Sequence, residues 1–381
     1  LALGVVLVSF VIDIPFTSLK ARLGMIAFFL VTAMTAWAAW YSGGNWISQD
    51  NADRVWKFAS VFIVFFTLLF CSVGLLATLM SWDYVKRTKI NQAEYYALLL
   101  SSVLGMVVMA ASNDLVTVFL GLELMSLALY VMVGFRRSQL ESNEAALKYF
   151  LLGAFASGFL LYGIALLYGA TGTTSLVGIQ QFLSDHVVKE EGLLLAGLAL
   201  LLVGFGFKVA AAPFHMWSPD VYQGAPSPVS AFMSSAVKVA AFGGMLRVFV
   251  TAFDAYRDSW RPAVFVLSVL SLLVGSVMAV RQTNVKRMLA YSSINHAGFI
   301  LVGVEVATPK GTAAALFYLA AYTAMTVGSF TIVTLVGRTG DGRHALDDYR
   351  GLARSRPGVA LLFTVFLLAQ AGTPLKRLPC L

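Results

Sequence analysis

The 381-residue chain is 59% hydrophobic and only 12% charged, whereas ordinary soluble domains are about a quarter charged. Apolar runs of about 20 residues, the length that crosses a bilayer as a helix, recur along nearly the whole sequence. The net charge of +8 lies mostly between these runs, where it reports membrane orientation and does not indicate a nucleic-acid partner. The sequence therefore predicts an all-α polytopic membrane protein and excludes a soluble globular domain.

Twelve membrane spans are predicted in chain order. They lie at residues 1–12, 23–41, 57–80, 94–112, 114–134, 144–169, 192–213, 228–250, 262–280, 288–306, 312–337 and 357–373. The chain begins inside an apolar run without methionine, so we expect the first helix to lack its beginning. The connection at Asn113–Asp114 is very tight, so the two spans beside it should be antiparallel neighbours.

Lysine and arginine predict the orientation of these spans. The loops after odd-numbered spans hold fifteen of them, and the loops after even-numbered spans hold six. By the positive-inside rule, the first set of loops faces the cytoplasm and the N-terminus lies outside. One of these loops, Gly340–Arg356, is long and charged, and we expect it to be a solvated connection.

The stretch Gly204–Lys238 interrupts the pattern of simple spans. Its sequence is GFGFKVAAAPFHMWSPDVYQGAPSPVSAFMSSAVK, with Lys208 and Lys238 in apolar surroundings on either side of four prolines. Proline removes a backbone donor and fixes φ, so one continuous helix cannot form here. A helix that breaks at membrane depth must give its freed backbone groups to protein or water. Such breaks beside a cation recur in ion pathways, so the stretch predicts part of a proton path.

Glu123 is the one carboxylate deep inside a predicted span. An ionisable group at the bilayer centre costs about 2.5–3.5 kcal/mol, so Glu123, Lys208 and Lys238 each need a reason to be there. A low dielectric disfavours a charged lysine, whereas a nearby carboxylate favours it. We therefore expect Glu123 to control whether Lys208 holds or releases a proton; a structural ion pair is the alternative.

Three further residues are secondary candidates, and a fourth, Asp220, has a structural explanation. Lys148 follows Glu144 by four residues, so a helical ion pair explains it as well as a role in proton transfer does. His215 beside the break and His296 inside a span could pass protons near neutral pH or could simply pack. Ser218-Pro219-Asp220 reads as a helix start, which gives Asp220 a structural role.

Other chemistry lacks a signal in the sequence. There is no glycine-rich nucleotide fingerprint, no phosphate loop and no cysteine cluster for iron–sulfur or zinc. Of the two cysteines, Cys71 lies in an apolar run and Cys380 near the end. We expect no cofactor or metal to bind this chain.

Four stretches resemble a known family: GLELMSLALY, EAALKYFLLGAFASGFLLYGIALLYGATGTTSL, the Gly204–Lys238 region and QTNVKRMLAYSSINHAGF. They are similar to the antiporter-like membrane subunits of the proton-translocating NADH–quinone oxidoreductase (respiratory complex I), and among these to subunit N. The resemblance covers about residues 90–374. It implies a multi-pass proton-channel subunit of the bacterial inner membrane, whose partners are other membrane-arm subunits. NAD, flavin, iron–sulfur clusters and quinone would be bound by other subunits.

The resemblance also implies inverted five-helix repeats, each with a broken helix. We expect N-terminal helices at 1–93, a first repeat at 94–250, an incomplete second repeat at 260–374 and an atypical tail at 375–381. In the family, the residues matching Glu123 and Lys208 pair electrostatically, Lys238 passes the proton onward, and Lys148 matches a lysine of the sixth span. The tail resembles a truncation or frame shift, because the family's second functional lysine does not follow Pro374.

Other membrane complexes could use the same proton-transfer residues. The chain could serve a multi-subunit sodium/proton antiporter or a membrane-bound hydrogenase instead of the oxidoreductase. It could also be a solute transporter, since broken helices build substrate sites as well, or a non-conducting structural subunit.

Overall fold

The computed structural model describes residues 51–90, 92–186, 188, 191–337 and 340–372, with side chains from residue 62 onward. Spans predicted at 1–12 and 23–41, and the tail 375–381, lie outside these residues. The first seven helices are α1 (Asn51–Arg87), α2 (Ala93–Ala111), α3 (Leu115–Val133), α4 (Leu140–Thr171), the short α5 (Leu176–Asp185), α6 (Glu191–Lys208) and α7 (Trp217–Gly224).

The second half begins with one long span that we call the central helix, Ser227–Ala252. It consists of α8 (Ser227–Phe232), a π-helical turn (Met233–Val237), α9 (Lys238–Leu246) and a second π-helical turn (Arg247–Ala252). Then follow α10 (Arg257–Val280), α11 (Val285–Glu305), α12 (Pro309–Val336), α13 (Leu352–Ser355) and α14 (Pro357–Gln370).

Within the described residues, eight helices are long and apolar enough to cross a membrane, which confirms the all-α polytopic class. The span predicted at 288–306 forms α11 but is not among the eight. This helix carries Lys286, Arg287 and His296, and it packs against α7, α10 and α12. The polar side chains of α11 are therefore placed between neighbouring helices.

The tight joint between α2 and α3 behaves as predicted. Asp114 ends the connection and caps α3, because its carboxylate accepts hydrogen bonds from the backbone N–H of Val116 (2.9 Å) and Thr117 (3.1 Å). The two helices then run antiparallel with Gly105 against Gly121. A Cβ on Gly105 would lie 2.6 Å from the Gly121 carbonyl oxygen, so glycine permits the close approach of the two backbones.

The predicted helix break is present, and it begins at Lys208. Here α6 ends, earlier than the predicted boundary at residue 213, and Ala210 takes a left-handed φ of 56°. The Trp217 indole N–H donates to the freed Phe207 carbonyl (2.9 Å), and the Ala212 N–H donates to the Ser271 hydroxyl (2.9 Å). Protein groups thus satisfy backbone that the helix no longer pairs.

The helix after the break differs from its predicted start. Helix α7 begins at Trp217, and the Ser218 hydroxyl caps nothing: it is buried without a hydrogen-bond partner among the described residues. The predicted serine cap is therefore wrong. Asp220 does lie in the first turn of α7, but its carboxylate binds side chains of other helices.

The central helix lies inside the protein. All its residues from Ser227 to Leu246 are buried, and its neighbours include α1, α2, α6 and α12. Lys238, near its middle, is only 1% exposed. Any charge that Lys238 carries is therefore stabilised by protein groups or enclosed water, not by lipid headgroups.

Candidate functional site

Five residues form what we call the first lysine cluster: Glu123, Ser126, Tyr130, Ser157 and Lys208. Helix α3 presents Glu123, Ser126 and Tyr130 on one face, because they are spaced by three and four residues. The Lys208 ammonium donates to the hydroxyls of Ser126 (2.8 Å) and Tyr130 (3.3 Å). Glu123 accepts a hydrogen bond from Ser157 of α4 (2.5 Å). Among the described residues Glu123 and Lys208 form no direct ion pair; Ser126, which accepts from Lys208, lies one turn from Glu123 on α3.

The surroundings of Lys208 can hold it in either protonation state. The side chain is 3% exposed, and its nitrogen lies 5.6 Å from the centre of the Tyr130 ring and 5.9 Å from that of Phe207. A buried ammonium needs hydrogen-bond acceptors, which the two hydroxyls and the ring faces supply. A hydroxyl can also donate, so the same groups can bind a neutral amine.

Five other residues form the second lysine cluster: Lys238, Ser293, His296, Tyr318 and Tyr322. The Lys238 ammonium donates to the Ser293 carbonyl (2.7 Å) and hydroxyl (2.5 Å). The Tyr322 hydroxyl donates to the same Ser293 hydroxyl (2.7 Å). His296 shares a hydrogen bond with Tyr318 through Nδ1 (2.7 Å), and its ring centre lies 5.1 Å from that of Tyr322. The structure thus places His296 beside Lys238, one turn of α11 from Ser293.

A ladder of aromatic rings lies between the two clusters. The Tyr130 and Tyr149 ring centres are 4.7 Å apart, and Tyr149 stacks on Trp217 at 4.6 Å. Tyr222 follows, with its ring centre 6.1 Å from that of Trp217, and lies close to Ser293 and Tyr322 of the second lysine cluster. The hydroxyls of Tyr149 and Ser218 are buried, with no hydrogen-bond partner among the described residues.

Lys148 lies in a separate group, at an open cavity of about 150 Å³. Its ammonium pairs with Glu144 (2.7 Å), as the spacing predicts, but also with Asp220 of α7 (2.9 Å). Asp220 binds Arg287 of α11 as well (2.5 Å). The prediction of a purely structural helix-start role missed these partners. Asp220 ties α7 to α4 and α11, and the four side chains line the cavity.

His215 lies inside the break, next to the exposed Met216, and its own side chain is half-buried. Within the described residues no hydrogen bond joins its ring to either lysine cluster, and its Nδ1 is buried without a partner. The structure therefore brings Glu123 near Lys208 and His296 near Lys238, but leaves Lys148 and His215 apart from both.

Asp341 forms a buried ionic centre that sequence reasoning missed. Its carboxylate is 1% exposed and accepts hydrogen bonds from the Tyr84 hydroxyl (2.6 Å), the Ser227 hydroxyl (2.6 Å) and the Ser227 N–H (3.1 Å). Arg136 lies 3.5 Å and His344 3.0 Å from the same carboxylate. The long connection after α12, predicted to be solvated, thus sends Asp341 and His344 into the protein and anchors the start of the central helix.

The charges around Asp341 decide its protonation state. Burial alone would raise the pKa of its carboxyl, but Lys286, the hydrogen bond and charge of His344, and the Ser227 hydroxyl outweigh burial. The pKa of Asp341 is therefore held well below its ordinary range, and the group stays ionised. Lys286 is itself buried and donates to the Ala225 carbonyl (2.6 Å), two residues before the central helix begins.

The described residues contain no group of three or more histidine, cysteine, aspartate or glutamate side chains that could hold a metal ion. Cys71 is a buried free thiol in α1. The two lysine clusters present amines, hydroxyls, one carboxylate and one imidazole, all of which can bind and release protons.

Residues 112–378 match the model of the family described as "NADH:quinone oxidoreductase/Mrp antiporter, TM". The chain is 50% identical over 313 residues to NADH-quinone oxidoreductase subunit N of Trichlorobacter lovleyi. The aligned region covers 82% of this chain and 64% of that relative. It is 52% identical over 295 residues to subunit N of Mycobacterium tuberculosis, and the aligned region covers 76% of this chain and 55% of that relative. The chain thus spans less than two thirds of the length of these curated relatives.

Solved structures share the architecture. A chain of respiratory complex I from Thermus thermophilus with bound aureothin aligns with a TM-score of 0.78 at 34% identity, covering 98% of this chain and 77% of that one. A chain of an archaeal membrane-bound sulfane sulfur reductase aligns with a TM-score of 0.82 at 26% identity, over 98% of this chain and 76% of that one. A chain of the Mrp complex from Dietzia shares the fold, with a TM-score of 0.82 at 22% identity over 98% of this chain and 69% of that one. The predicted family is confirmed: the chain belongs to the membrane subunits that NADH:quinone oxidoreductases share with Mrp antiporters.

Proposed function

We propose that this chain translocates protons as a membrane-arm subunit of an NADH–quinone oxidoreductase. The observation that carries the proposal is the position of Lys208: a buried amine at the end of an interrupted helix, held by the hydroxyls of Ser126 and Tyr130, which lie one and two turns from Glu123 on α3. Relatives at 50% and 52% identity that carry the name of subunit N support the choice of complex.

The first lysine cluster acts as the switch. An ionised Glu123 favours the charged form of Lys208, while the hydroxyls of Ser126 and Tyr130 hold the amine in place. When Glu123 moves away or is neutralised, the low dielectric disfavours the ammonium, and Lys208 gives up its proton. In a complex, charge movements in neighbouring subunits would supply that change.

The released proton then passes to the second lysine cluster. The unpartnered hydroxyls of Tyr149 and Ser218 lie along the way, and buried hydroxyls are normally hydrogen-bonded to protein or water. Water bound by these two groups would connect Lys208 to Tyr222 and then to Ser293, which binds Lys238. His296, beside Lys238, is the next group that can accept a proton.

The cavity at Lys148 is the entry point in this proposal. Arg287 and the first turn of α4, which carries Glu141, lie next to loops that the positive-inside rule assigns to the cytoplasm. Protons would therefore enter from the cytoplasmic side of a bacterial inner membrane, with the N-terminus outside. His215 stays a secondary candidate, on the exposed side of the break.

Electron transfer belongs to other subunits in this assignment. NADH, flavin, iron–sulfur clusters and quinone would be bound there, and this chain would use the energy of their reaction only through electrostatic coupling. Partners are accordingly the adjoining membrane-arm subunits.

Replacing Lys208 in the assembled complex tests the function. Reconstituted into vesicles, the Lys208→Met complex should oxidise NADH but acidify the lumen less per electron than wild type. The matched control is Lys310→Met, which removes an exposed lysine at the start of α12. Unchanged translocation by Lys208→Met, with the variant subunit present in the complex, would refute the proposal.

A second candidate keeps the proton chemistry and changes the assembly. The family includes Mrp antiporters, and their fold is shared, so the chain could serve a sodium/proton antiporter or a membrane-bound hydrogenase. Copurification separates them: flavin and iron–sulfur subunits that bind and oxidise NADH indicate the oxidoreductase, whereas sodium-driven proton exchange without them indicates the antiporter. If the chain had only a non-conducting structural role, replacing Lys208 would leave proton translocation unchanged.

A further inference from the structure

An open groove of about 1130 Å³ runs between α1 and α12. Leu76 and Leu79 of α1 and Leu335 of α12 are 43%, 47% and 46% exposed along its wall. Thr331 and Thr334 of α12 complete the wall, and their hydroxyls bond carbonyls of their own helix. At one end the apolar wall gives way to cations: Lys86 and Arg87 from the last turn of α1, and Arg356 from the start of α14. The groove therefore has an apolar length and a basic end.

The cations at the basic end have no acidic partner among the described residues. Lys86, Arg87 and Arg356 form no ion pair within the part of the chain that the structure describes, and all three are exposed. Asp83, the one carboxylate that lines the groove, leaves a net positive charge there. The α1 cations alone could simply complement the helix dipole, but Arg356 reaches the same place from another element across the groove.

The length of the groove along α1 matches the hydrocarbon thickness of one bilayer leaflet. Leu76 and Arg87 are eleven residues apart on α1, which corresponds to about 16 Å along the helix. Half of a hydrocarbon core of about 30 Å is nearly the same length. The basic end also lies beside the loops predicted to face the cytoplasm, where anionic lipid headgroups are found.

We propose that this groove binds an anionic phospholipid of the cytoplasmic leaflet, with its phosphate held by Lys86, Arg87 and Arg356 and an acyl chain along α1 and α12. A transmembrane helix of a partner would fill the apolar wall but leave three cations unpaired. A soluble anion would satisfy the cations but leave the apolar wall without a function. A lipid satisfies both, and the site is independent of the proton path.

Counting the lipids bound to the 381-residue chain tests the site. The delipidated wild-type chain in detergent is titrated with phosphatidylglycerol or with phosphatidylcholine, and bound lipid is counted by native mass spectrometry. We expect about one tightly bound phosphatidylglycerol, with phosphatidylcholine at least about tenfold weaker. Glycerol phosphate, which has the headgroup but no acyl chain, should not displace it.

Charge variants locate the headgroup. The groove variant combines Lys86→Gln, Arg87→Gln and Arg356→Gln. The control removes the same charge from exposed loop positions outside the groove, with Arg137→Gln, Arg281→Gln and Arg343→Gln. The groove variant should bind phosphatidylglycerol at least about tenfold more weakly than wild type, whereas the control should bind it as wild type does.

A second pair of variants tests the apolar wall without touching any charge. Leu79→Trp narrows the groove, and Leu127→Trp adds the same bulk at an exposed position on α3 outside it. Only Leu79→Trp should lose the lipid. Equal binding of the two lipids, equal loss in both charge variants, or displacement by glycerol phosphate would each overturn the proposal.

Discussion

Replacing Asp341 with asparagine should destabilise the protein by about 3–5 kcal/mol, the usual cost of removing one partner from a buried ionic group. The substitution keeps the shape of the side chain but removes the charge that faces Arg136 and Lys286. It also weakens the acceptor for Tyr84 and Ser227, so two helices lose part of their anchor. The free energy of unfolding, from SDS titration in mixed micelles, is the measurement.

The matched control lies in the same connection. Asp347 pairs with Arg350 at 3.1 Å, but their side chains are 75% and 82% exposed. A surface pair of this kind contributes about 0–1 kcal/mol, so Asp347→Asn should be nearly neutral. If Asp341→Asn were as mild as Asp347→Asn, the buried ionic centre would not hold the start of the central helix.

The pH dependence of the Asp341 effect has a definite sign. The folded pKa of this carboxyl is lowered, so its stabilising contribution is complete above the unfolded pKa of about 3.9 and is lost only as pH falls through the folded value. The wild type should therefore keep its advantage over Asp341→Asn at pH 5. An advantage that disappears between pH 7 and pH 5 would mean that burial, not the nearby cations, dominates this pKa.

Three further substitutions probe the site and its scaffold. Tyr322→Phe removes the hydroxyl that donates to Ser293, and should lower proton translocation by up to about tenfold while the complex still assembles. Ser126→Ala removes the closer of the two hydroxyls on Lys208, and should reduce translocation similarly at unchanged NADH oxidation. Gly105→Ala would place a Cβ 2.5 Å from the Met125 backbone nitrogen, and should lower the unfolding temperature, at a cost of about 1–3 kcal/mol. Wild-type behaviour of Tyr322→Phe or Ser126→Ala would contradict the role of the hydroxyl removed, and wild-type stability of Gly105→Ala would contradict the close packing of α2 on α3.

The sequence predicts the break and the buried charges well, because both come from strong local signals. Four prolines between two apolar runs leave no continuous helix, and a lysine or glutamate in an apolar span has few explanations. Lys208 does end its helix, Lys238 is buried, and Glu123 faces α4 through Ser157. These features needed no knowledge of long-range packing.

The polar partners could not be predicted, since they come from distant parts of the chain. Ser293 and Tyr322 reach Lys238 from α11 and α12, and nothing in their local sequence marks them. Ser126 is an exception, because its spacing of three residues from Glu123 puts it on the same helix face. Asp341 was missed for another reason: a charged loop favours solvent exposure, and only tertiary packing buries one of its acids.

The coupling between Glu123 and Lys208 is the central claim, and a double-mutant cycle on proton translocation tests it most directly. Glu123→Gln, Lys208→Met and the double variant are compared in the assembled, NADH-oxidising complex reconstituted in vesicles. If the two residues act as one switch, the double variant translocates no fewer protons per electron than the worse single variant. If instead the fractional losses of proton translocation in the two single variants multiplied in the double variant, the account would be contradicted.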